Sequence, residues 1–223
     1  MNYSIAEENY IKSVYHLQQQ SERVSTNHLA EALQTQPASV TDMMKKLLNK
    51  KLVHYEPYRG VKLNSQGKKI ALQIIRKHRL WEYFLVNTLG FGWDEVHEVA
   101  EQLEHVNSPK LIEQLDRFLG YPRFDPHGDP IPDNKGKITY RERLPLLNQP
   151  VNQLLEITAV GDESPALLDM LKLHRIQLGS RVRILRNFSF DGSVEIIIDN
   201  AKPVIISQAL AQCLLVKWIG YDK

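Results

Sequence analysis

The segment HEVAEQLEHV, residues 97–106, carries His97, Glu101, Glu104 and His105 within an amphipathic-helix pattern. At about 100° per residue these four positions fall in an arc of roughly 100°, so two imidazoles and two carboxylates can face one way. Upstream, His78 and Glu82 form another i, i+4 pair. Oxygen and nitrogen donors without a thiolate suit Mn(II), Fe(II) or Zn(II). A solvated helix face would explain Glu101, Glu104 and His105 taken alone. Six metal-competent side chains on two neighbouring helices point to a common cause, a divalent-cation site.

Catalysis has less to stand on. HEVAE begins like the zinc-peptidase pattern H-E-x-x-H, but Glu101 stands where the second histidine is needed, and Glu98 would have to be the base. Neither a nucleophile triad nor a phosphate-cradling glycine loop is present, so the chain reads as a non-enzyme.

The elements that position these groups follow from periodicity. Apolar spacing from Ile5 to Leu17 predicts a first helix, VSTNHLAEALQ a second with Ser25 or Thr26 as N-cap, and TQPASVTDMMKKLLNKKLV a third with Pro37 in its first turn. Val53, Tyr55, Tyr58, Val61 and Leu63 then favour strands, with Arg59-Gly60 marking the turn. Three short helices and a hairpin make a winged helix-turn-helix, which sets a helix in the major groove and the wing along the backbone. Gln36, Pro37, Ser39 and Thr41 are the base-facing end of the third helix. Lys45, Lys46, Lys50, Lys51, Arg59 and Lys62 are phosphate contacts, which set affinity rather than sequence choice.

A long helix is predicted from Lys69 to Leu89, a second from an N-cap near Asp94 to about Val106, and a third over SPKLIEQLDRFLG closed by Gly120. With Trp81, Tyr83, Phe84, Phe91 and Trp93, these leave more apolar surface than one small domain needs, which suggests a dimerisation unit. YPRFDPHGDPIPDNKGK is a loop or linker. LLEITAV, RVRILRNFSF and SVEIIIDN read as strands around a helix in SPALLDMLKLHRIQLG, a small SH3-like β-barrel. The fold class is thus mainly α with β, in three domains: residues 1–70 for DNA binding, 71–140 for metal binding and dimerisation, and 150–220 for the barrel.

Bulk properties agree. The 223 residues are 43% hydrophobic, enough for folded domains. Residues 1–70 carry 10 Lys+Arg against 6 Asp+Glu, residues 71–140 carry 8 against 11, so a basic head that suits a polyanion precedes an acidic middle that suits cations. No apolar run is long enough to span a bilayer and no secretory leader is evident, so no membrane partner is expected and the expected compartment is the cytoplasm. The lone Cys213, in ALAQCLLV, reads as a buried structural thiol.

The order of winged helix, PYRGV wing, RKHRLWE, HEVAEQLEHVNS, FDPHGDPIP and terminal barrel resembles the diphtheria-toxin-repressor family of metal-dependent transcriptional regulators, and in particular its manganese-responsive branch. The resemblance spans nearly the whole chain. It implies a primary metal site of Glu101, Glu104 and His105 completed by Asn9, where family members more often have Asp or Met. A carboxylate at position 101, where iron-responsive members have cysteine, implies Mn(II), with Fe(II) as the alternative and Zn(II) binding in vitro. Lys12 stands where some manganese members have a glutamate bridging two ions. For a second site the resemblance implies either His78, Glu82 and His97 with a barrel carboxylate, or Glu82 with Asp125, His127 and a barrel carboxylate, Asp162 or else Glu163. The function so implied is a metal-activated homodimeric repressor that binds palindromic operator DNA and controls metal-uptake genes. An ion joining Asn9 to the Glu101 helix would pose the two reading heads about 34 Å apart, one helical turn of DNA. A winged-helix regulator that answers to an organic ligand or to none, and a metal hydrolase, are the rival readings.

Overall fold

The structure is a computed structural model that describes residues 3–93, 95–140, 143–161 and 164–219. It contains two compact units: Met1–Trp81, Ala100–Tyr121 and Ile131–Ile138 form the first, and Glu82–Val99, Pro122–Pro130 and Thr139–Lys223 the second. Within the first unit the segment after Ala100 packs with the N-terminal helix through Lys12 with Glu101 and Glu104 and through Glu8 with His105.

The first unit begins with α1 (Ile5–Leu17), whose start is fixed by a reciprocal box: the Ser4 hydroxyl accepts from the Glu7 amide, and the Glu7 carboxylate accepts from the Ser4 amide. Ile11 and Val14 face inward and are fully buried. α2 (Thr26–Ala32) is capped by Ser25, and α3 (Pro37–Asn49) starts on Pro37, whose missing N–H costs nothing at that position. Val40, Met44 and Leu47 put one face of α3 into the core with Leu29 and Val24. The wing is β1 (Val53–Glu56) paired antiparallel with β2 (Gly60–Leu63), Val53 opposite Leu63. Its turn is Pro57-Tyr58-Arg59, one step earlier than the predicted Arg59-Gly60. Gly60 has φ +89, and a Cβ there would come within 2.4 Å of the Val24 carbonyl oxygen, so only glycine lets the wing dock on the strand-like residue 24.

α4 (Ser65–Leu89) begins four residues before the predicted Lys69 because Asn64 caps it, its side chain accepting from the Gly67 amide. α5 (Val96–Leu103) is shorter than expected, and the predicted N-cap Asp94 lies outside the described residues. Its helical bonding continues to Glu104, whose amide donates to the Ala100 carbonyl, and then the chain turns away. α6 (Pro109–Phe118) is capped by Ser108 and closed at Gly120, φ +72.

The second unit holds a six-stranded antiparallel sheet in the order β3-β8-β4-β5-β6-β7, made of β3 (Leu144–Pro145), β4 (Leu155–Val160), β5 (Arg181–Asn187), β6 (Val194–Ile198), β7 (Val204–Ile206) and β8 (Leu214–Trp218). Bulges at Ile157/Ala159 and Ile184/Arg186 bend the sheet around α7 (Pro165–His174) and α8 (Gln208–Cys213), with Leu155, Ile157, Ile184, Ile196 and Val216 fully buried. The alternation in β5 and β6 was readable in the sequence; β3, β7 and α8 are too short to show a period. Cys213 is only partly buried, at the end of α8, rather than a core thiol.

Candidate metal centre

Within the first unit, α1 and the segment after Ala100 bring together side chains some 90 positions apart in the chain. Glu104 is the centre: its carboxylate is fully buried, with Oε2 2.6 Å from His78 Nδ1 and both oxygens 2.8 and 2.9 Å from Lys12 Nζ. Burial alone would raise its pKa. The hydrogen bond from His78 and the nearby Lys12 charge outweigh that, and the group is held below the ordinary glutamate range. An ionised carboxylate cannot donate, so His78 Nδ1 carries the hydrogen. Glu101 is hydrogen-bonded to the same Lys12 ammonium. His78, Glu101 and Glu104 place one donor atom each within 4.8 Å of one another, close enough to share a cation.

His105 adds a fourth donor. Its Nδ1 lies 2.6 Å from Glu8 Oε2 on α1, and its Nε2 faces Glu104 Oε1 at 3.8 Å. One ring nitrogen anchored by a carboxylate while the other faces a cluster of donors is the arrangement that orients metal-binding imidazoles. Beside Glu8 on the same helix, the Asn9 amide oxygen is buried and has no hydrogen-bond partner among the described residues. A buried acceptor left unpaired costs free energy unless something binds it. Anionic and neutral oxygen donors with imidazole nitrogens fit a hard or borderline divalent ion, so the residues present suit the ion that the sequence implied.

His97 stands at the start of α5, one turn before Glu101. It is half-exposed, and its Nδ1 is 3.4 Å from Glu82 Oε1. His78, Glu82 and His97, grouped from sequence, place one donor atom each within 4.8 Å of one another, and His78 Nδ1 is also on Glu104. Glu8 was missed, though it and Lys12 stand four apart on α1 and so share a face, a signal the sequence carries.

In the second unit Glu82, Asp125 and His127 are each 4% exposed or less. Asp125 Oδ1 accepts from the amides of His127 and Asp129, which makes the hydrogen-bonded turn that DPHG permits. Gly128, φ +89, completes it where a Cβ would strike the Thr158 carbonyl at 2.1 Å. The His127 ring sits edge-on to Trp93, centroids 5.5 Å apart, and neither of its nitrogens has a hydrogen-bond partner among the described residues. Asp162 and Glu163 lie outside the described residues.

On the N-terminal face, Gln36, Pro37 and Ser39 are exposed at the start of α3, whereas the Thr41 hydroxyl donates back to the Pro37 carbonyl. Lys46 and Lys50 both reach Glu7, at 3.2 and 2.6 Å, Lys45 pairs with Asp42, Arg59 with Glu56 and Lys62 with Glu22. Lys51, in the turn before the wing, is exposed.

Comparison with known proteins agrees with this anatomy. Residues 4–61 match the iron-dependent repressor N-terminal DNA-binding domain, 64–133 the iron-dependent repressor metal-binding and dimerisation domain, and 144–217 the FeoA domain. The chain is 28% identical over 178 residues to the iron-dependent repressor IdeR of Mycobacterium leprae, covering 80% of this chain and 69% of that one. It is 34% identical over 114 residues to the transcriptional regulator MntR of Bacillus subtilis, covering 51% and 80%. It spans about half, 54%, of the Mycobacterium tuberculosis IdeR that it also matches. Among solved structures, a manganese-dependent transcriptional repressor in complex with manganese is similar at TM-score 0.80 and 34% identity, over 96% of this chain and all of that one. No described helix is long and apolar enough to cross a membrane. From the gathered site, the wing and these three matched domains together, the chain belongs to the iron-dependent repressor, or diphtheria-toxin-repressor, family, and is a metal-dependent transcriptional repressor rather than an enzyme.

Proposed function

We propose that this chain is a Mn(II)-activated repressor that binds palindromic operator DNA as a homodimer and controls metal-uptake genes. The observation that carries the reading is the burial of the Glu104 carboxylate beside Glu101, His78 and His105; the buried, unpaired Asn9 oxygen on α1 adds to it. Glu101, Glu104, His105 and Asn9 are the primary ligands, with His78 beside them. The absence of a thiolate from this set favours Mn(II) over softer ions, with Fe(II) the nearest competitor. The bound ion would supply the positive charge that two adjacent carboxylates need.

The residues of the chain do the rest. Glu8 holds the His105 ring in orientation, and Asn9 ties α1 to the segment after Ala100. Glu7, one residue before Glu8 on α1, grips Lys46 and Lys50 of α3. A change in the seating of α1 is therefore felt at the helix that presents Gln36, Pro37, Ser39, Lys45 and Lys46 to DNA, with Arg59 and Lys62 on the wing. By linkage, DNA tightens ion binding by the factor with which the ion tightens DNA binding.

A second site of Glu82, Asp125 and His127, completed by Asp162, is supported by the burial of all three described members and the unpartnered His127 nitrogens. The Glu82–His97 contact supports the other version of that site, though the exposure of His97 favours the first.

The test is an operator-binding titration with Mn(II), Fe(II) and chelator on the wild-type chain and on Glu104→Ala. Mn(II)-dependent binding lost in the variant is the expected result. Equal affinity under all conditions would favour a regulator that does not answer to metal.

A further inference from the structure

Lys12 presents a feature that the metal reading leaves unused. A lysine ammonium has three N–H donors. In this structure they meet one oxygen of Glu101 and both oxygens of Glu104, and the lysine side chain is itself nearly buried. The ammonium thus lies at the point where the two carboxylates converge, which is where a shared cation would receive both charges. We propose that Lys12 is a built-in counter-ion that closes the Glu101–Glu104 site in the metal-free protein, so that a divalent ion enters by exchange with the ammonium and Lys12 sets the metal concentration at which the protein responds. This rests on the metal reading above and adds to it the identity of what the ion displaces.

The physical case is one of charge. Glu104 has no exposure to solvent, and Glu101 lies within reach of the same ammonium, so the metal-free chain needs a cation here to avoid burying uncompensated negative charge. Lys12 supplies it from α1, which also holds the metal-free site in shape: α1 stays joined to the 101–105 segment through Lys12 with Glu101 and Glu104, and through Glu8 with His105. The same bond opposes the incoming ion. Part of the ion's intrinsic affinity goes into expelling the ammonium, and the apparent affinity falls by that factor. One ammonium accepted by both carboxylates also leaves no room for a pair of ions bridged by Glu101 and Glu104 while Lys12 remains.

Lys12→Met and Lys12→Gln remove the charge, the second retaining a hydrogen-bond donor in case the first is poorly folded. Mn(II) affinity is read from the electron paramagnetic resonance signal of free Mn(II), and stability from thermal melts with and without the ion. Both variants are expected to bind Mn(II) at least about tenfold more tightly, a shift of about 1.4 kcal/mol. They should melt lower than wild type without metal and alongside it at saturating Mn(II). In wild-type protein labelled with 15N-lysine, one slowly exchanging ammonium resonance, assigned by its loss in Lys12→Gln, should vanish on addition of one equivalent of diamagnetic Zn(II). Unchanged or weaker Mn(II) affinity in both variants, or persistence of that resonance in the Zn(II)-bound protein, would overturn the exchange while leaving the metal reading intact. Failure of wild type and variants alike to bind Mn(II) would overturn both.

Discussion

His78 Nδ1 lies 2.6 Å from Glu104 Oε2, both side chains buried, although 26 positions separate them in sequence. The contact couples the middle of α4 to the turn that follows α5, and it makes Glu104 the residue on which the site depends. Replacing Glu104 by alanine removes the carboxylate that accepts twice from Lys12 and that His78 Nδ1 meets at 2.6 Å. Loss of one member of a buried pair costs about 3–5 kcal/mol, so urea unfolding of Glu104→Ala without metal should show destabilisation on that scale. Glu104→Gln keeps the shape, and Mn(II) affinity should still fall at least about a hundredfold, as expected for a removed ligand rather than a neighbour of one.

The Glu8–His105 contact carries a separate prediction. If Glu8 orients the imidazole without touching the ion, Glu8→Gln should weaken Mn(II) binding about 10- to 100-fold and leave its stoichiometry unchanged. Calorimetric titration gives both quantities. A change in the number of ions bound would mean that Glu8 is itself a ligand.

Much of this was legible in the sequence, and the failures have physical reasons. α1 and the start of α3 follow apolar spacing and caps, so their bounds agree with the expectation. A helical wheel assigns direction without knowing which neighbour lies opposite: it puts His78 and Glu82 on one face of α4, but only the fold shows that His78 Nδ1 meets Glu104 and that Glu82 meets His97. Lys12 was seen as an oddity of type; only the fold shows its ammonium between two carboxylates. The barrel's short strands are set by pairing across the sheet, which no local period records.

Glu7 has a pH signature. It is buried, which opposes ionisation, but Lys50, the Ser4 amide and Lys46 bring its pKa down from 4.5 to about 2. A depressed carboxylate pKa contributes stability that is complete above 4.5 and disappears as pH falls toward 2. Thermal melts of wild type and Glu7→Gln should therefore differ most at neutral pH and converge across that window. A constant difference down to pH 2 would mean that the charge of Glu7 contributes nothing.

The lysines of α3 are not equivalent. Lys46 and Lys50 are held by Glu7, whereas Lys45 has, among the described residues, only an exposed pairing with Asp42 at 3.3 Å. Lys45→Ala should weaken binding to all DNA sequences alike and reduce the slope of log affinity against log salt by about 1. Fluorescence anisotropy over a salt series measures both. An effect confined to the operator would instead make Lys45 a base contact.

His127 should trade stability for binding. Its two unpartnered nitrogens are buried beside Trp93, so His127→Leu is expected to stabilise the metal-free protein by about 1–3 kcal/mol while removing one ion from the Mn(II) stoichiometry. Stabilisation without loss of an ion would leave His127 outside any metal site.

The most direct measurement is anomalous diffraction at the manganese edge from crystals of the Mn(II)-loaded chain. The expected map has a peak within coordination distance of Glu101, Glu104, His105 and the Asn9 oxygen, with the Lys12 ammonium withdrawn from the two carboxylates. A map with no peak there, and Lys12 still bonded to Glu101 and Glu104 at saturating manganese, would contradict it.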